Sequence, residues 1–125
     1  MFTHAFVGSN DIEKSRQFYD ATMGVLGYQN VVPPEAGQLV YAGPTGTFIV
    51  GPPLNGEPAT HANGGTLGFA APDDATVAAW HAAGLAAGGR CDGEPGPRER
   101  APNQSVGAYL RDPDGNKICA FHMRH

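Results

Sequence analysis

This chain of 125 residues has little of three things: basic charge, cysteine and long apolar runs. Eight Lys and Arg stand against twelve Asp and Glu, for a formal net charge of -4. No segment gathers the basic residues into a face that would neutralise a phosphate backbone, so nucleic acid is not an expected partner. No stretch approaches the roughly 20 consecutive apolar residues that cross a bilayer. The opening "MFTHAFVGSND" lacks the charged-then-apolar pattern of a secretory leader. The expectation is a soluble, cytoplasmic protein with no membrane partner. Cys91 and Cys119 allow at most one bridge, and nothing in the sequence brings them together. Free thiols in a reducing compartment are expected.

Glycine (18) and proline (11) are plentiful, and they fall at turns rather than in a low-complexity tract. "GPTG", "GPPLNG", "GEPGP" and "DPDG" separate periodic or apolar segments, which is the punctuation of a strand-rich fold with tight connections. The length suits one domain with its own core, taken as residues 1–125.

A repeat organises the chain. "THAFVG" reads as a short strand feeding a helix over about Asp11 to Met23, with Asn10 as its cap and Glu13 three residues on. "GTLGFAAPDDATVAAWHAAGLAAGG" gives a second strand and helix, capped by Asp73 and stopped at Gly88-Gly89. With His4 set on Thr66, Phe6 falls on Gly68, Asp11 on Asp73, Phe18 on Trp80 and Gly27 on Gly89 without a gap. A hairpin follows each helix, "QLVYAGPTGTFIVG" and "VGAYLRDPDGNKICAF", and setting Gly46 on Gly115 puts Val50 on Cys119. A further strand is expected before each hairpin, near Gln29 to Val32 and near Gly89 to Asp92. The predicted fold is α+β, two tandem βαβββ modules over about residues 1–58 and 62–125.

The duplicated module, the opening "H-x-F-V" strand, "SRQFYD" in the first helix and the closing "RDPDGNKI" hairpin together resemble the vicinal oxygen chelate superfamily of glyoxalases, bleomycin-resistance proteins and extradiol dioxygenases. The resemblance runs from Thr3 to Phe121. It implies curved mixed sheets around a pocket, helices on the convex side, a homodimer, and a small-molecule ligand. In metal-dependent members it also implies a divalent ion held by four residues on equivalent strands. Carried over residue by residue, those positions are His4, Val50, Thr66 and Cys119. Catalytic metal sites need about three good protein ligands, and this set offers one good match, His4. Val50 has no lone pair, Thr66 is a weak neutral donor, and a thiol suits softer ions than oxygen-held ones. No cofactor is therefore expected, a divalent metal being the alternative. Glu57 or His61 in the linker would be replacement ligands. His122 should point away from Cys119 by strand alternation, and His81 reads as a surface or core-edge histidine.

Alternation puts His4, Phe6, Phe48, Val50, Thr66, Gly68, Cys119 and Phe121 on the pocket side, an apolar and aromatic set suited to a small, partly aromatic molecule. Arg98 and Arg100, in the loop before the last hairpin, are candidates to hold an anion, and Tyr109 reads as packing. Cys119 has two readings. It is a nucleophile if His4 activates it, and a buried, inert packing residue otherwise. The leading functional reading is a metal-free binding protein or enzyme. The alternatives are a metal-dependent lyase or isomerase of glyoxalase (lactoylglutathione lyase) type with an atypical ligand set, and a dimeric scaffold without small-molecule activity.

Overall fold

The computed structural model describes residues 1–125. Strand β1 (His4–Gly8) leads into helix α1 (Ile12–Val25), then strands β2 (Leu39–Ala42) and β3 (Thr47–Gly51). The second module repeats the order with β4 (Leu67–Ala70), α2 (Asp74–Ala86), β5 (Arg90–Pro97), β6 (Val106–Arg111) and β7 (Lys117–His122). The sheets run β1-β3-β2 and β4-β7-β6-β5, the first and last strands of each module pairing in parallel. These are two βαβββ-like modules in a mixed α+β arrangement, and residues 67–70 are strand, as the repeat requires.

The helices begin where side chains satisfy their free N–H groups. Asp73 caps α2, its Oδ1 accepting from the Thr76 N–H at 2.7 Å. The cap of α1 is Asp11, which accepts from the N–H groups of Glu13 and Lys14. Asn10, expected to cap it, instead exchanges side-chain hydrogen bonds with the backbone of Ala59 in the linker. Gly27 (φ 93°) and Gly88 (φ 100°) follow the helices in the left-handed region where a Cβ is costly. Because α2 is one residue shorter, Gly88 rather than Gly89 holds the position that Gly27 holds.

One further expectation is only partly met. The strand foreseen near Gln29 to Val32 is reduced to a single bridge, Asn30 to Tyr41. Its counterpart β5 is eight residues long, with register breaks at Cys91/Gly93 and Gly93/Gly96.

A single core joins the modules. Phe18 and Tyr19 of α1, Val77 and Trp80 of α2, and Tyr41, Val50, Leu110 and Ile118 of the sheets are all buried in it. Each such side chain contributes about 1.5–3 kcal/mol by leaving water. The turn at 112–116 is also built into this core. Asp112 Oδ1 accepts from the N–H groups of Asp114 and Asn116, and Oδ2 accepts from Asn116 Nδ2 and, at 2.6 Å, from the Tyr19 hydroxyl. Asn116 Nδ2 also donates to the Gly8 carbonyl at 3.0 Å. Burial raises the Asp112 pKa, and the hydrogen bonds from Tyr19 and Asn116 oppose that rise. The "FYD" and "DPDGN" segments are thus the two halves of one buried polar joint between modules.

Candidate functional site

Residues paired across a sheet share a face, so the register fixes what looks away from the helices. In the first module Ala5, Phe48 and Tyr41 form one row toward the helices, and Val7, Val50 and Leu39 the next. His4 with Thr47, and Phe6 with Ile49 and Val40, look the other way. Phe48 and Val50 therefore point into the core rather than outward, although Phe48 also borders the cleft that holds His4 and Thr66. Phe48 packs edge-on against Tyr19 and Phe69 with centroids 5.1 Å apart in both pairs.

The error lies in the hairpins. The first turn spans residues 43–46 and the second spans 112–116, one residue longer, so aligning Gly46 with Gly115 slips β3 by one position. A one-residue slip exchanges the faces of a strand. Ile49, paired with Phe6, is the residue equivalent to Cys119, paired with Gly68.

In the second module the outward rows are Gly68, Cys119, Tyr109 and Gly93, and then Ala70, Phe121, Gly107 and Gly96. Glycine and alanine on either side leave Tyr109 and Phe121 standing as the walls of a shelf, edge to face with centroids 5.9 Å apart. Two cations lie against Tyr109: the Arg98 guanidinium at 5.5 Å from the ring centroid and Lys117 Nζ at 5.1 Å. Arg98 is held there by the carbonyls of Glu94 (2.6 Å) and Gly96 (3.1 Å), with no carboxylate partner. Lys117 shares Asp92, at 3.8 Å, with Arg111 at 2.9 Å. Positive charge is in excess on this face of an otherwise acidic chain.

Sequence alone reads Tyr109 as packing and gives no signal for Lys117. Both follow from the register, since Tyr109 pairs with Cys119 and Lys117 lies two residues before it on the same strand face. Arg100 is exposed and takes no part in the cluster.

Cys119 is 4 % exposed, and its Sγ lies 3.6 Å from the Leu67 carbonyl. Burial pushes its thiol up to about 11, against smaller opposing effects of Lys117 and Arg98. It is protonated at neutral pH and makes no hydrogen bond to His4, whose Nδ1 meets Thr3 Oγ1 at 2.8 Å. His4 and Thr66 share a different cleft, of about 530 Å³, along the β1 and β4 edges with Thr47, Gly68 and Phe2. Phe6 lines a third space, of about 570 Å³, under the linker residues Pro53, Leu54 and Pro58.

The four positions implied for a metal are thus His4, Ile49, Thr66 and Cys119. An isoleucine, an exposed threonine and a buried protonated thiol do not fit a catalytic divalent ion. The replacement ligands are elsewhere: Glu57 is exposed in the linker, and His61 sits against Gly115 beside Arg90 and Arg111. His122 points to the helix side, its Nδ1 2.8 Å from Asp74 Oδ1.

The sequence profile of the Glyoxalase/Bleomycin resistance protein/Dioxygenase superfamily matches residues 2–120. A crystal structure of a glyoxalase/bleomycin resistance protein from Albidiferax ferrireducens T118 is 50% identical over 99% of both chains, with a TM-score of 0.89. A glyoxalase-related enzyme from Fulvimarina pelagi (20% identity, 98% of this chain and 87% of that one, TM-score 0.76) has the same fold. So does a lactoylglutathione lyase from Agrobacterium tumefaciens (20%, 98% and 92%, TM-score 0.68). No curated protein matches the sequence.

Proposed function

The chain belongs to the glyoxalase/bleomycin resistance protein/dioxygenase superfamily, and from that premise we propose that it binds or transforms a small aromatic anion on the outward face of its second module, without a metal ion at that face. The observation that carries this reading is Tyr109 flanked by Arg98 and Lys117 beside Phe121. An aromatic wall supplies area, and two cations supply orientation to a carboxylate or phenolate. A guanidinium fixed by backbone carbonyls loses little freedom when an anion arrives, which favours binding. Cys119 serves as packing beneath the shelf, because a protonated buried thiol is a poor nucleophile.

Thermal-shift screening of aromatic carboxylates against their neutral amides tests this. The carboxylates should raise Tm with concentration, and Arg98→Ala and Lys117→Ala should each weaken the response. Equal stabilisation by the amides, or none by any aromatic anion, would sink the reading.

A homodimer belongs to the same proposal. Phe2 (78 % exposed), just before β1, and Phe6 (43 % exposed), within it, are exposed apolar side chains that a second copy would cover. Light scattering at micromolar concentration should give twice the chain mass, and Phe6→Glu should lower it. No helix is long and apolar enough to cross a membrane, and both cysteines are free, which suits a reducing compartment.

A further inference from the structure

On the far side of the second module three chemically different donors converge. His81 of α2 is 3 % exposed, and its Nε2 lies 3.2 Å from Cys91 Sγ at the start of β5. The same sulfur is 3.4 Å from Glu94 Oε1, and all three ligand atoms lie within 4.8 Å of one another. We propose that His81, Cys91 and Glu94 form a binding site for one zinc-class divalent cation, which ties the β5 edge strand to α2 and is separate from the ligand shelf.

The separations match that use. Zn–S near 2.3 Å with Zn–N and Zn–O near 2.0–2.2 Å puts the ligand atoms of a tetrahedral site about 3.5 Å apart. The two separations to the Cys91 sulfur, 3.2 and 3.4 Å, are within a few tenths of an ångström of that spacing, and the imidazole and carboxylate, at most 4.8 Å apart, close to it by side-chain rotation. Three protein ligands leave a fourth position for water. Charge also fits: when the thiol gives its proton to solvent, thiolate, carboxylate and neutral imidazole balance a divalent ion. A thiolate with an imidazole selects zinc-like ions over Mg and Ca.

The backbone is arranged for it. In a regular strand, residues three apart point to opposite faces, so Cys91 and Glu94 would diverge. The register breaks at Cys91/Gly93 and Gly93/Gly96 bring them to one side, the kind of re-aiming that bulges provide. Glu94 forms no ion pair. A Cys–His nucleophile is the lesser reading of these residues, because the carboxylate meets the sulfur rather than the imidazole and so neither orients the base nor favours a thiolate.

The test is titration of chelator-stripped, full-length protein with Co2+ and then Zn2+. A thiolate-to-cobalt charge-transfer band with strong tetrahedral visible bands is expected, displaced by Zn2+, and Zn2+ should raise Tm. Cys91→Ser should abolish the charge-transfer band, whereas Cys119→Ser should retain it. Glu94→Gln should weaken binding by at least the roughly 10–100-fold that loss of an outer-shell partner costs. Cys91 and Glu94 are exposed, so these variants keep the fold that removing the buried His81 would endanger. A spectrum without sulfur ligation, undiminished binding by Cys91→Ser, or loss of the band in Cys119→Ser would each overturn the proposal. The shelf reading would stand or fall separately on its aromatic anions.

Discussion

The two modules share strand order, aspartate caps and a buried aromatic at the same helix position, yet their outward faces differ. The first presents His4, Thr47, Phe6, Ile49 and Val40, apolar apart from one imidazole and one hydroxyl. The second presents Tyr109 and Phe121 among glycines, with Arg98 and Lys117 against the phenol ring. Where the residues touch the common core, Phe18 and Trp80 are interchangeable in role. Where they face outward, nothing in the packing holds the copies alike, and each face has acquired its own chemistry. The edge strand differs in the same way: one bridge at Asn30 in the first module, a long bulged β5 with Cys91 and Glu94 in the second.

Breaking the shared core should give the largest effects. Trp80→Ala should cost about 3–5 kcal/mol in urea unfolding, and Phe18→Ala a similar amount, as for other deleted core aromatics. A loss below about 1 kcal/mol at either would mean that the two helices are not equivalent in anchoring the core. The polar joint comes next. Tyr19→Phe removes the hydrogen bond to Asp112 and should cost about 1.5–3 kcal/mol, the range for a hydrogen bond to a charged group. An unchanged midpoint would detach the "FYD" and "DPDGN" pairing from stability.

Two glycines then separate the helices. A Cβ on Gly84 would run into Leu110, Phe18 and Thr22 where α1 and α2 meet, whereas one on Gly24 meets nothing. Gly84→Ala should therefore destabilise by about 1–3 kcal/mol through overpacking, and Gly24→Ala should stabilise by about 0.5–1 kcal/mol through helix propensity. Equal signs would refute the difference in packing.

The last effect appears only at high pH. The native Cys119 thiol holds its proton up to about 11 against an ordinary 9.0. From pH 9 to 11 the unfolded chain therefore binds fewer protons than the native one, and stability falls as pH rises through that window. Cys119→Ala should lose this part of the alkaline decline while keeping the rest, as read from urea midpoints across the range. An identical decline in both proteins would place the sulfur in a more polar setting than its burial suggests.

Periodicity and spacing carried the repeat. The constant offset from His4 to Thr66 and from Asp11 to Asp73 located both strand–helix units, because a cap and an apolar helix face are local features of sequence. Asn10 was mistaken for a cap because Asn and Asp serve equally well there, and only the linker's claim on Asn10 separates them. The outward face was less legible. Its make-up in the first module depended on one residue in a turn, and that residue moved Phe48 and Val50 into the core and Ile49 out of it.

By itself the sequence determined the two modules, their strand–helix units, the buried aromatics and the poverty of metal donors at His4, Thr66 and Cys119. Those follow from residue type and short spacing. The tertiary structure decided the hairpin register, the placement of Arg98 and Lys117 around Tyr109, and the meeting of His81 with Cys91 and Glu94. Each joins residues from different strands or from a helix and a strand, and such meetings depend on turn length and bulges, where one inserted residue reverses a face.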